Sequence, residues 1–184
     1  MVAARARRGL ACLAAALLVA SCGVQPSPCP FVKIVSPLNS LTRFTPGVEQ
    51  APANVEFQAQ LTDVALKCEY SDVKNANLPV NQATDLMEVR MKVQISALRG
   101  PAAGGDEVAL AYFVAVTDTL DNVLEKEEFP LRLRFPVNSR NATFTEENWM
   151  LFRLRGRSGL AYRIWTGFQL TPEESEYNHG LLAD

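Results

Sequence analysis

The side chains most able to do chemistry here are a lone histidine, His179, and a group of carboxylates at Asp118, Asp121 and Glu125. A histidine base needs an orienting acid and a nucleophile within hydrogen-bond reach. A Ser-His-Asp arrangement would have to use His179, and no Gly-x-Ser-x-Gly turn is present to offer the serine. His179 instead stands near the end of a short helical pattern, where a cationic ring meets the helix dipole favourably. The three carboxylates surround an Asp-Asn turn. Calcium takes roughly six to eight oxygen ligands, their spacing fits no calcium loop, and Asp and Asn are ordinary turn formers. Paired carboxylates can also hydrolyse glycosidic bonds, so a carboxylate-based hydrolase is kept as the alternative to a binding role. Gly104-Gly105-Asp106 has no phosphate-binding lysine beside it and is expected to be a turn. Neither a metal nor a cofactor is expected.

Arginines form the other pattern. Arg132 and Arg134 alternate with Leu131, Leu133 and Phe135; Arg153, Arg155 and Arg157 alternate with Phe152 and Leu154; Arg163 sits between Tyr162 and Ile164. Strands hold alternate residues on one side, so each segment shows a cationic row opposite an apolar one. If these strands adjoin in one sheet, the rows merge into a basic stripe able to grip carboxylates or phosphates through the planar guanidinium. An acidic partner protein or an anionic envelope polymer is what such a stripe would hold. The competing expectation is a solvated face whose arginines pair with Glu125, Glu127, Glu128, Glu146 and Glu147.

The elements that must position these residues are strands. Val89, Met91, Val93, Ile95 and Ala97 alternate with Arg90, Lys92, Gln94 and Ser96, which describes one buried and one wet face. Val108–Val116 is apolar throughout and reads as a central strand covered on both faces. Asp118–Asn122 is a hairpin connection into Val123–Phe135, whose acidic run Glu125–Glu128 reads as a solvated strand end. Phe31–Val35 is a short strand. Val55, Phe57, Ala59 and Leu61 alternate, and Val64, Leu66, Cys68 and Tyr70 continue one residue out of phase, so a bulge is expected near Thr62-Asp63. Met150–Arg155 and Leu160–Leu170 complete about seven strands, with loops at Pro37–Asn54, Ser71–Asp85 and Gly100–Asp106.

Strand number and punctuation together predict an all-β fold, a single antiparallel β-sandwich of immunoglobulin-like or fibronectin-like architecture over 31–184. A small barrel is the alternative. Trp149 and Trp165 both follow the last cysteine, so the Cys-Trp-Cys order of true immunoglobulin domains is missing. After the strands, Thr171-Pro172-Glu173-Glu174 carries the marks of a capping box with proline at the first helical position. A helix is expected over 172–179, and at about two turns it must dock on the sandwich to persist.

The N-terminus obeys a different pattern. Arg5, Arg7 and Arg8 precede an uncharged run from Leu10 to Ala20, followed by Ser21-Cys22-Gly23. A positive region, a short apolar region and small residues before a cut define a secretory signal. The apolar run is far short of the roughly 20 residues that span a bilayer as a helix. Val19-Ala20-Ser21-Cys22 resembles the lipobox of bacterial lipoproteins, which implies that residues 1–21 are removed and Cys22 is acylated. Gly23 in place of Asp favours, in that family, the outer membrane facing the periplasm. Each buried methylene adds about 0.8 kcal/mol, so several acyl chains on one cysteine amount to a lasting membrane anchor. Residues 22–30, with Pro26, Pro28 and Pro30, form an extended tether. The sequon Asn141-Ala142-Thr143 then carries no consequence in a bacterial envelope.

Taking residues 1–21 from 184 leaves 163, enough for one domain, and 15 basic against 20 acidic side chains, a formal balance of −5. No basic footprint for nucleic acid remains. Of the four cysteines, Cys12 leaves with the signal and Cys22 carries lipid, so Cys29 and Cys68 are left to pair in an oxidising compartment.

Gly167–Asn178 (GFQLTPEESEYN), Leu61–Tyr70 (LTDVALKCEY) and Tyr112–Asp118 (YFVAVTD) resemble segments of a group of small uncharacterised proteobacterial lipoproteins. That resemblance implies the compartment and no activity. The role expected from the whole reading is non-enzymatic: a lipid-held sandwich that binds or assembles with another envelope component.

Overall fold

The computed structural model describes residues 28–73 and 84–181, and these form a two-sheet sandwich closed by one short helix. The expected signal segment 1–21, Cys22 and most of the tether lie outside the described residues. In chain order the strands are β1 (Phe31–Ile34), β2 (Ser40–Phe44), β3 (Val55–Val73), β4 (Thr84–Arg99), β5 (Glu107–Asp118), β6 (Val123–Arg134), β7 (Asn141–Arg153) and β8 (Tyr162–Phe168), followed by helix α1 (Pro172–Gly180). The first sheet runs β1-β8-β5-β6 and the second β2-β3-β4-β7.

Side-chain alternation decides which face each strand buries. In β4, Met87, Val89, Met91, Val93, Ile95 and Ala97 are all buried, whereas Glu88, Lys92, Gln94 and Ser96 are exposed. Burying each such apolar side chain stabilises by about 1.5–3 kcal/mol. β5 lies between β8 and β6, and every residue from Tyr112 to Thr117 is buried, as its unbroken apolar run requires. In β3 the register against β4 shifts between Leu61 and Asp63. The bulge lets Phe57, Ala59 and Leu61 point inward on one side of it and Val64, Leu66 and Cys68 on the other.

Four elements depart from the sequence expectation. β2 lies inside what reads as the loop Pro37–Asn54; Ser-Leu-Thr-Arg-Phe is too short and mixed to show alternation, yet it pairs along β3. β7 begins at Asn141 rather than Met150, because its inner face there carries Ala142, Phe144, Glu146 and Asn148, a polar-apolar mixture without a hydrophobic period. The loop expected over Ser71–Asp85 is shorter, since β3 reaches Val73 and β4 starts at Thr84. Finally, β1 pairs with β8 in parallel, Phe31 opposite Arg163, in an otherwise antiparallel fold with eight strands among the described residues rather than seven.

The helix is held by polar groups. Thr171 Oγ1 accepts from Glu174 N at 3.2 Å and Glu174 Oε2 accepts from Thr171 N at 2.9 Å, a complete capping box. One turn on, Asn178 Nδ2 donates to the carbonyls of Pro37 and Ser40 at 2.9 and 2.8 Å. Glu174 also accepts from Arg43 Nε of β2 at 2.9 Å, and Tyr177 meets Phe44 edge-on at 5.0 Å. Residues four apart share a helix face, so Glu174 and Asn178 together dock α1 over the β2 edge.

Candidate functional site

The residues singled out for chemistry are dispersed. Asp118 is occupied in its own turn: Oδ1 accepts from Leu120 N and Asn122 N at 2.8 and 3.0 Å, and Oδ2 from Asn122 Nδ2 at 2.8 Å. The Asn122 amide, together with those two backbone donors, holds its carboxyl below the ordinary aspartate range. Asp121, at a positive φ of 64°, accepts from Arg163 at 2.6 Å. His179 is exposed in the last turn of α1. Among the described residues, no three His, Cys, Asp or Glu side chains are placed to share a metal ion. No helix among them is long and apolar enough to cross a membrane.

Cys29 and Cys68 form a disulfide with Cα atoms 5.6 Å apart. The bond fastens the segment entering β1 to β3, and so one sheet to the other. Beside it Tyr70 Oη donates to Pro28 O at 2.6 Å and accepts from Gly159 N at 2.8 Å.

The arginine rows do not merge. β6 is the edge of the first sheet and β7 the edge of the second, because the chain changes sheets between them. Arg132 and Arg134 both reach Glu107 of β5, at 3.5 and 3.1 Å. Arg153 ends β7, while Arg155 and Arg157 belong to the turn after it, where Arg155 has φ 51° and Arg157 N donates to Leu154 O. The expected acidic partners are wrong too. Glu147 pairs with Lys92 at 2.8 Å and Glu128 with Lys126 at 3.3 Å. Register explains this: Lys92 lies opposite Glu147, and Glu107 opposite Arg134.

A site that the sequence reading missed opens between the two edge strands. Near one end the sheets meet directly, with the rings of Phe135 and Phe144 at 6.5 Å. Toward the other end, Phe152 of β7 packs against Tyr162 of β8, two strands in from β6, with rings 5.2 Å apart. The sheets therefore cross, and here β6 runs out past β7. A cleft of about 330 Å³ lies under the overhang. Val114, Val116, Phe152 and Tyr162 form its apolar floor, with Phe129, Glu125 and Glu127 on one wall and Trp149, Leu151 and Arg153 on the other. Glu125 and Glu127 pair in register with Val116 and Val114, so they stand on the inner face of their sheet. They are exposed, and among the described residues nothing of the second sheet reaches beneath them.

The rim is apolar as well. Leu124 is 53% exposed, Trp149 59% and Leu151 64%, and Arg90 lies over the Trp149 ring at 5.6 Å. The signal was present in the sequence as Trp149-Met150-Leu151-Phe152, four apolar residues in succession at the end of a strand otherwise wet on one face. A second cleft of about 350 Å³ lies between β2 and the start of α1. Its cation is already matched, Arg43 to Glu174 and to Ala109 O, so it offers an anionic ligand little. The β6–β7 cleft can take apolar groups on its floor and a cation beside its two carboxylates.

No known protein family matches this chain, and no curated protein or solved structure is significantly similar to it.

Proposed function

We propose that this protein is a lipid-anchored binding or assembly module of the bacterial cell envelope, held through acylated Cys22 at the outer membrane and facing the periplasm. The contact face in this reading is the open side between β6 and β7. The observation that carries it is the cleft with an apolar floor and with Leu124, Trp149 and Leu151 exposed around it. Exposed apolar groups gathered at one concave place mark binding sites, whereas scattered ones do not. The order of charge, apolar run and Cys22 at the N-terminus supports the anchor, and the Cys29–Cys68 bond fits an oxidising compartment.

The alternative, a carboxylate hydrolase, would use Glu125 and Glu127. Those residues stand two apart on one strand and line the same wall. A glycosidase pair flanks the bond it breaks, and a binding wall is the better account of this placement.

The test has two arms. Mass spectrometry of the mature protein should find acyl chains on Cys22, and Cys22→Ser should free the protein from the membrane fraction or leave it uncleaved. A photoreactive residue at Leu124 or Leu151 should crosslink to an envelope component, while one at Lys67 on the outer face of β3 should not. A mature chain with an unmodified Cys22, or equal labelling from all three positions, would refute the proposal.

A further inference from the structure

The edges of the two sheets are not equally guarded. β1 is only four residues long, β2 is covered by α1, and β6 carries Pro130 and the charges Glu125–Glu128. Short length, cover, proline and charge are the usual means of keeping another strand off an edge. β7 has none of them over Trp149–Phe152, its charges Glu146, Glu147 and Arg153 lying to either side. It is 13 residues long, free of proline, hydrogen-bonded to β4 alone, and apolar on both faces over Trp149–Phe152.

Where β7 is free, β6 overhangs it. A further strand beside β7 would continue the second sheet and lie beneath the inner face of β6. We infer that the cleft takes an extended segment of a partner protein, added as a strand to β7, with basic and apolar residues in alternation. This inference rests on the contact-face reading above and adds the mode of binding and the chemistry of the partner.

The alternation follows from the pleat. Successive side chains of the added strand point to opposite faces. One set would face up toward Glu125 and Glu127, two acceptors on one wall above the apolar floor, with Arg153 on the wall opposite. A lysine or arginine there gains a charge-assisted hydrogen bond, whereas an acidic residue is repelled. The other set would continue the outer face beside Trp149 and Leu151, which calls for apolar groups. Main-chain hydrogen bonds to β7 supply affinity and the alternating side chains supply selectivity. A second copy of this chain is excluded by the same overhang. If two β7 strands paired about a two-fold axis at this level, each β6 would be driven into the first sheet of the other copy.

The probe is a labelled peptide alternating valine and lysine, titrated by fluorescence anisotropy against the full chain in detergent. Three comparisons decide. Glu125→Gln with Glu127→Gln should weaken binding by roughly tenfold or more, while Glu56→Gln with Glu69→Gln, which removes the same charge elsewhere, should not. Glu125→Lys with Glu127→Lys should reject this peptide and accept one alternating valine and glutamate. Methylating alternate backbone nitrogens of the peptide, in both possible phases, should abolish binding in one phase only. Binding insensitive to methylation, or weakened equally by both glutamine pairs, overturns strand addition. If that happens while Leu124 still crosslinks to an envelope component, the contact face stands and only this mode of binding falls. Crosslinking of Leu124 to another copy of the chain would also overturn it.

Discussion

Asn148 of β7 donates its side-chain amide to the hydroxyl of Tyr112 on β5, a bond that crosses between the two sheets. The ring of Tyr112 is buried and stacks on Phe129 at 5.3 Å, so the pair stands beside the wall of the cleft. Here the contact adds direction to a seam made otherwise of apolar contacts, which have none.

Burial holds the Tyr112 hydroxyl above the ordinary tyrosine value of 10.0, with the Asn148 bond opposing it. A raised folded-state value means that the unfolded chain loses this proton first as pH rises. Stability is therefore fully present below pH 10.0 and declines as the pH climbs from there through the folded value. Tyr112→Phe should cost about 1 kcal/mol at neutral pH, because a hydrogen bond is lost from a half-buried amide, and should flatten the alkaline decline. Thermal unfolding of both proteins from neutral to strongly alkaline pH measures this. Parallel curves throughout would show that the phenol does not couple to folding.

Reduction of Cys29–Cys68, or its replacement by a serine pair, should destabilise strongly. The bond joins residues 39 apart, and closing such a loop is worth roughly 4 kcal/mol in the chain-entropy account. Urea unfolding of oxidised and reduced protein gives the difference. A change under about 1 kcal/mol would mean that the loop is already constrained in the unfolded chain.

Glu174 is 7% exposed and serves two masters, the helix start through Thr171 N and the β2 edge through Arg43. Glu174→Ala removes a cap and leaves Arg43 without its carboxylate, at a cost of about 1–3 kcal/mol. Thr171→Ala removes only the cap and should cost about 1 kcal/mol. Hydrogen exchange should show α1 and β2 opening together in the Glu174 variant and α1 alone in the Thr171 variant. Identical patterns would place the whole effect at the cap.

Local features were legible along the chain. Alternation placed the faces of β4, the phase slip in β3 located its bulge, and the unbroken apolar run marked β5 as a central strand. Thr171-Pro172-Glu173-Glu174 started the helix within one turn's chemistry. Each of these depends on neighbours a few residues apart, and their physics is settled before the chain folds. Setting aside Cys12 and Cys22 as an expected signal and lipid site likewise left the pair that is bonded.

Adjacency belonged to the tertiary structure. Periodicity says which way a side chain faces and nothing about which strand lies beside it. The arginines of β6 and β7 therefore looked like one stripe until the chain was seen to change sheets between them. Polar alternation hid β7, whose inner residues need not be apolar because part of its edge is wet. Most of all, the run Glu125–Glu128 reads as an ordinary solvated strand end, and Glu125 and Glu127 do point inward. They overlook a cleft because twisted sheets cross at an angle, which leaves the end of β6 with no described strand of the second sheet beneath it.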